Sequence, residues 1–159
     1  MSLEKAPELS DMDYVAFLGS SKIGPYGLPL VKPPYGRITA IDMNTGEILW
    51  WIPNGDTPDR IKNHPLLQGV DVGRTGAPSH ATAVVTRSLL IYGEGRGGRP
   101  LLHAVDKRTG EELATVEIPQ ATDTAPMTFL HDGVQYIVIS VSGDDLPQSF
   151  IALRLPGQE

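Results

Sequence analysis

The sequence predicts an all-β fold assembled from four-stranded antiparallel units in series, and three observations carry that expectation. An octapeptide recurs 64 residues apart, as Ala40-Ile41-Asp42-Met43-Asn44-Thr45-Gly46-Glu47 and as Ala104-Val105-Asp106-Lys107-Arg108-Thr109-Gly110-Glu111. Its surroundings recur in the same order: each copy leads to Ile-Pro (Ile52-Pro53, Ile118-Pro119) and further on to Ala-Pro (Ala77-Pro78, Ala125-Pro126). The 159 residues also include 17 glycines and 14 prolines, about a fifth of the chain against a usual ~12%, which leaves little room for long helices. A repeat of this kind marks an array of one supersecondary unit.

Residues 1–35 are expected to form an extended lead-in, with Met1-Ser2-Leu3 reading as an expression scar and no signal-peptide pattern behind it. Turn formers crowd this stretch, as Gly24-Pro25-Tyr26-Gly27-Leu28-Pro29 and Pro33-Pro34-Tyr35-Gly36. The blade region is expected over 36–159. It opens with a hairpin over 37–52: Ile38 and Ala40 alternate as a half-buried strand. Asp42 and Thr45 can accept backbone N–H groups in the turn. Gly46 supplies the positive φ that the return requires.

An insert over 54–76 follows, in which Thr57-Pro58-Asp59 reads as a helix start with Thr57 as N-cap and Pro58 at the first helical position. Strands are then expected near 80–86, 88–93, 101–106 and 112–118, making one complete blade over 80–118. A final three-stranded group is expected near 125–131, 134–141 and 149–155. Four-stranded units in series are the signature of a β-propeller, which needs at least ~4 blades to close its ring. The sequence reads as a partial propeller: one complete blade between two incomplete ones.

Composition narrows the function classes. A net charge of −6 without a basic run excludes an electrostatic nucleic-acid binder. No apolar stretch reaches the ~18 residues of a spanning helix, and with no cysteine there is neither a thiolate metal site nor a cysteine nucleophile.

The first copy of the repeat extends to Trp50, giving Ala40-x-Asp42-x-x-Thr45-Gly46-x-x-x-Trp50. This resembles the tryptophan-docking motif of the PQQ-dependent quinoprotein dehydrogenases, which are eight-bladed propellers. The lead-in through Pro34-Tyr35-Gly36 is similar to the approach to a late blade in the membrane-bound glucose dehydrogenase-like branch. Ala125-Pro126-Met127-Thr128 and Asp132-Gly133-Val134-Gln135-Tyr136 are similar to that branch's final blade. The second copy, with Ala104, Asp106, Thr109 and Gly110, departs from the pattern: Ala114 stands where tryptophan is expected.

The resemblance implies the C-terminal portion of a propeller whose last blade is completed by a strand from the N-terminal region. It also implies oxidation of a sugar, polyol or other alcohol by PQQ with a Ca2+ ion, an aspartate general base, a quinone acceptor and a periplasmic location, which the lack of cysteine fits. The catalytic and metal-ligating residues are expected upstream, so none is assigned here. The isolated chain is expected to be structural and inactive, to bind no cofactor, and to self-associate through its unpaired edges. The alternative is a non-catalytic PQQ-like repeat propeller that scaffolds protein partners.

Three residues are candidates for proximity to substrate. Asp144 and Asp145 sit in the connection Ser142-Gly143-Asp144-Asp145-Leu146-Pro147, where the glucose branch has a histidine after the glycine. Asp144 in that place argues against glucose, and a solvated acidic loop is the plainer reading. Arg96, with Arg99 beside it, belongs to Gly93-Glu94-Gly95-Arg96-Gly97-Gly98. That run matches GxGxxG, but a strand rather than a helix follows it, so it reads as a hairpin loop and not a dinucleotide site. His64, His80, His103 and His131 show no zinc-ligand spacing and are expected in turns or at the surface.

Overall fold

The chain divides into two compact units, Met1–Lys32 and Pro33–Glu159. The computed structural model describes residues 2–4, 15–17, 24–95, 98–122, 124–143 and 146–154. In the first unit, β1 (Ser2–Glu4) pairs antiparallel with β2 (Val15–Phe17), and a single 3-10 turn spans Pro25–Gly27.

The second unit holds the blades. A two-stranded hairpin joins β3 (Arg37–Ile41) to β4 (Ile48–Pro53). A four-stranded meander follows: β5 (Thr82–Val85), β6 (Leu89–Gly93), β7 (Leu101–Asp106) and β8 (Glu112–Glu117), paired in that order. The last sheet has three strands, β9 (Met127–His131), β10 (Val134–Gly143) and β11 (Leu146–Arg154), with β10 in the middle. Sheets of two, four and three antiparallel strands are the partial propeller that the repeat implies. The last hairpin is tighter than the expected 142–147 connection, since pairing continues to Gly143 opposite Leu146.

Both copies of the octapeptide fold alike. The Asp42 carboxylate accepts the Asn44 N–H at 2.8 Å, and the Asp106 carboxylate accepts those of Arg108 and Thr109 at 2.7 and 3.0 Å. These bonds draw the Asp106 carboxyl below its ordinary range. Thr45 and Thr109 each accept the N–H two residues on. Gly46 and Gly110 take φ of 76° and 77°, a region closed to most side chains. The strand register shifts at the same place in both, between Ala40 and Ile41 and between Ala104 and Val105.

The central blade buries both faces. One carries Leu90, Tyr92 and Val105 against Ile38, Trp50 and Ile52 of the hairpin. The other carries Ile91 and Leu102 against Ile139 and Val141 of the last blade, with Ile118 closing the cluster. Strand alternation explains the division: Ile91 and Tyr92 are neighbours in sequence and point to opposite faces.

The insert contains only one helical turn, α1 (Asp59–Lys62), and a 3-10 turn at Pro65–Leu67. Thr57 does not cap α1, whose first residue follows Pro58 without a side-chain cap. Its hydroxyl instead donates to the Gly73 carbonyl and accepts the Thr75 N–H at 3.0 Å. The two ends of the insert are thereby stapled together, a long-range use of the hydroxyl that local spacing cannot show.

Candidate functional site

In an antiparallel blade alternate connections fall at the same end. The turns 42–47, 86–88, 107–111 and 132–133 therefore lie at one end, while the insert, the β6–β7 connection and the β8–β9 connection lie at the other. At the first end Trp50 of the hairpin docks on the central blade. Its indole N–H donates to the Lys107 carbonyl at 3.0 Å. Its ring lies so close to Gly110 that a Cβ there would stand 2.8 Å from the indole Cδ2. Gly110 thus serves twice, for its positive φ and for the face it leaves open to the indole.

The opposite end is organised by a buried carboxylate. Glu94, at the end of β6, is 1% exposed. Its Oε1 lies 3.1 Å from His103 Nε2, and its Oε2 accepts the Arg99 N–H at 2.7 Å. Glycines make room for it: a Cβ on Gly55 would stand 2.5 Å from its carboxyl carbon, and one on Gly98 would stand 2.4 Å from its Cβ. Burial opposes ionisation of Glu94, but the His103 and Arg99 hydrogen bonds outweigh it and hold the carboxyl below its ordinary range.

His103 is not at the surface. It is 2% exposed, and its Nδ1 lies 3.0 Å from Glu112 Oε2. Tyr92 stacks on the ring with centroids 4.7 Å apart. Burial and the nearby Glu112 push the Tyr92 hydroxyl up to about 12; it feels the Gly55 backbone but does not reach it in hydrogen-bonding geometry. The expectation of a surface histidine failed because the strand pattern around His103 says only that one face is buried, not that two carboxylates wait there. The available signal was the glycine-rich run around Glu94, which is wide enough to turn a carboxylate inward.

Segments of the insert close on this cluster. Asn54 donates to the Glu94 carbonyl at 3.1 Å and to Ser79 Oγ at 2.9 Å, and Ser79 in turn donates to the Glu94 carbonyl. Arg74 pairs with Glu112 at 3.5 Å and Asp56 with Arg99 at 3.3 Å. A carboxylate–imidazole pair beside a serine invites a hydrolase reading, but the geometry denies it. Both ring nitrogens are held by carboxylates, and Ser79 is committed to a backbone carbonyl. Beside the cluster, between β3 and β5, lies an open recess of about 380 Å³ lined by Arg37, Asn54, Ser79 and His80.

Arg96, Asp144 and Asp145 lie outside the described residues. The strands that flank them, β6 with β7 and β10 with β11, meet at the end that carries the insert. Arg99 is half exposed and neutralised by Asp56 and Glu94. Ala40, Asp42, Thr45, Gly46 and Trp50, with Ala104, Asp106, Thr109 and Gly110, are brought together at the opposite end as the two turns and the dock.

Residues 4–137 match the family model for the β-propeller domain of PQQ glucose/ethanol/alcohol dehydrogenases. The chain belongs to that family. Among its relatives, a probable quinate dehydrogenase (quinone) of Xanthomonas campestris pv. juglandis is 32% identical over 140 residues, covering 82% of this chain and 17% of the relative. The glycerol dehydrogenase large subunit of Gluconobacter thailandicus is 34% identical over 121 residues, covering 74% and 16%. The quinoprotein glucose dehydrogenase of Escherichia coli K12 is 30% identical over 121 residues, covering 76% and 15%. The chain spans about a sixth of the length of these relatives.

Among the described residues no three His, Asp or Glu side chains converge to hold a metal ion. Glu94 and Glu112, the two carboxylates on either side of the imidazole, are spent on His103, Arg99 and Arg74. The donor set does not fit a calcium site.

Proposed function

We propose that this chain is the C-terminal part of the propeller of a PQQ- and Ca2+-dependent dehydrogenase. In this reading the whole enzyme oxidises a sugar, polyol or other alcohol in the periplasm and passes electrons to a quinone. The segment itself closes the ring and walls part of the substrate funnel, and it is inactive alone. One observation carries the reading: a complete blade stands between two incomplete ones, each with a strand edge that no described strand pairs. In the last blade the face turned away from the core shows Met127, Phe129 and Phe150 at 55%, 42% and 81% exposure, and Phe129 stacks on Tyr136 at 5.4 Å. Such a face is where a further blade would pack.

Three measurements test this. The chain supplied with PQQ and Ca2+ is expected to reduce no redox dye with quinate, glycerol or glucose; turnover would overturn its assignment as a non-catalytic wall. Grafted in place of the matching segment of the Gluconobacter thailandicus glycerol dehydrogenase large subunit, it is expected to yield a protein that binds PQQ and reduces dye. A folded chimaera that binds no PQQ would refute the propeller-closing role. In isolation, the exposed edge and apolar face should drive self-association, seen by light scattering as a mass that rises with concentration; a monomer at every concentration would count against it.

A further inference from the structure

We propose that Glu94, His103 and Glu112 form a proton-dependent clasp that fastens the 54–76 insert to the central blade. An ionised carboxylate can only accept hydrogen bonds. His103 presents one ring nitrogen to Glu94 at 3.1 Å and the other to Glu112 at 3.0 Å. Only an imidazole carrying both protons donates at both positions. When the ring loses one proton, a lone pair faces a carboxylate oxygen, on the Glu94 side in a contact closed to solvent. One bond is lost, and repulsion takes its place.

The insert hangs on the same two carboxylates. Arg74 reaches Glu112 Oε2, the oxygen that His103 also holds. Gly55 packs its backbone against the Glu94 carboxyl, and Asn54 donates to the Glu94 carbonyl. Asp56 holds Arg99, whose backbone N–H is bonded to Glu94. A carboxylate that swings away from a neutral imidazole therefore shifts the groups on which Asn54, Gly55 and Arg74 rest.

Arg74 and Asp56 face the cluster from the insert and Arg99 from the β6–β7 connection. From the hairpin come Ile38, Trp50 and Ile52, which carry no charge. Tyr92 stays neutral through the whole working range, because its hydroxyl is pushed up to about 12. The insert lies at the end where the connections gather, so the clasp sets how firmly that rim is held.

Hydrogen exchange followed over a pH series from acid to alkaline conditions tests the clasp on the full chain. After correction for intrinsic exchange, protection of peptides within 57–73 is expected to fall roughly tenfold on going from the acid to the alkaline side, as loss of one charged hydrogen bond implies. Protection over β9 and β10 serves as the control and should stay level. Nitrogen-15 spectra should show both ring nitrogens of His103 protonated while the insert is protected. His103→Gln, which cannot change charge, is expected to leave insert protection independent of pH. Level protection in the unmodified chain, or a neutral ring while the insert is protected, would overturn the proposal even if the variant failed to fold.

Discussion

Gly46 and Gly110 occupy the same position of the two repeats with nearly the same φ, 76° and 77°, yet alanine should cost very different amounts at each. At Gly46 a Cβ meets nothing within 4 Å, so Gly46→Ala carries only the left-handed backbone penalty of about 1–2 kcal/mol. At Gly110 the same penalty applies, and the Cβ would stand 2.8 Å from Trp50 Cδ2. The indole must lift off, which loses its hydrogen bond to Lys107, worth about 1 kcal/mol. The contact of a half-buried aromatic ring with the turn goes with it, worth about 1–2 kcal/mol. Gly110→Ala should therefore cost about 3–5 kcal/mol, summing these contributions. Urea denaturation followed by far-ultraviolet circular dichroism measures both variants without relying on tryptophan emission. In a Trp50→Ala background, Gly110→Ala should fall back to the cost of Gly46→Ala, since the clash has no second party. Equal costs for the two glycines with Trp50 present would show that the dock does not join these blades.

Three further outcomes are expected. Glu94 is held below its ordinary value of 4.5, so it contributes stability that is full above that pH and is lost as pH falls through the lowered native value; Glu94→Gln should flatten the acid limb of a stability-against-pH curve. Thr57→Val keeps the shape but leaves the Gly73 carbonyl and the Thr75 N–H unpartnered, which should cost about 2–4 kcal/mol in the same urea assay. Phe150→Lys, at a side chain 81% exposed on the free edge strand β11, should weaken self-association in sedimentation experiments while leaving the denaturation midpoint within about 0.5 kcal/mol of the parent.

The fold was legible because the information is local and repeated. Asp42 and Asp106, Thr45 and Thr109, and Gly46 and Gly110 each act within their own turn, so an octapeptide suffices to specify a hairpin, and its recurrence gives the blade. The polar cluster was not legible, because it depends on which strand face each side chain takes and on groups that arrive from the insert. Glu94 and His103 share a blade but come from different strands, and Arg74 arrives from the insert. Thr57 shows the same limit. Spacing made it a cap for α1, whereas a short helix that buries only Ile61 gains less from a cap than the insert gains from having its ends tied. The substrate-facing candidates rested on resemblance, and Arg96, Asp144 and Asp145 fall outside the described residues.

The two junctions of the central blade are built by different means, and Ala114 shows why. A docking tryptophan needs a landing turn on the next blade, between that blade's third and fourth strands. For Trp50 this is the 107–110 turn. For the second copy it would follow Arg154, beyond the described residues, and Ala114 offers no ring to place on it. The second junction is instead carried by aliphatic packing of Ile91, Leu102 and Ile118 on Ile139 and Val141. A threonine staple supports it: Thr122 donates to the Ser140 carbonyl at 2.7 Å, and its methyl sits where a Cβ on Gly93 would stand only 2.6 Å away. Aliphatic packing has no direction of its own, whereas the indole fixes both distance and angle. The hairpin is thus held to the central blade by a directed contact at one end and the His103 cluster at the other. The last blade is held mainly by area, which leaves its position more dependent on whatever covers Phe129 and Phe150.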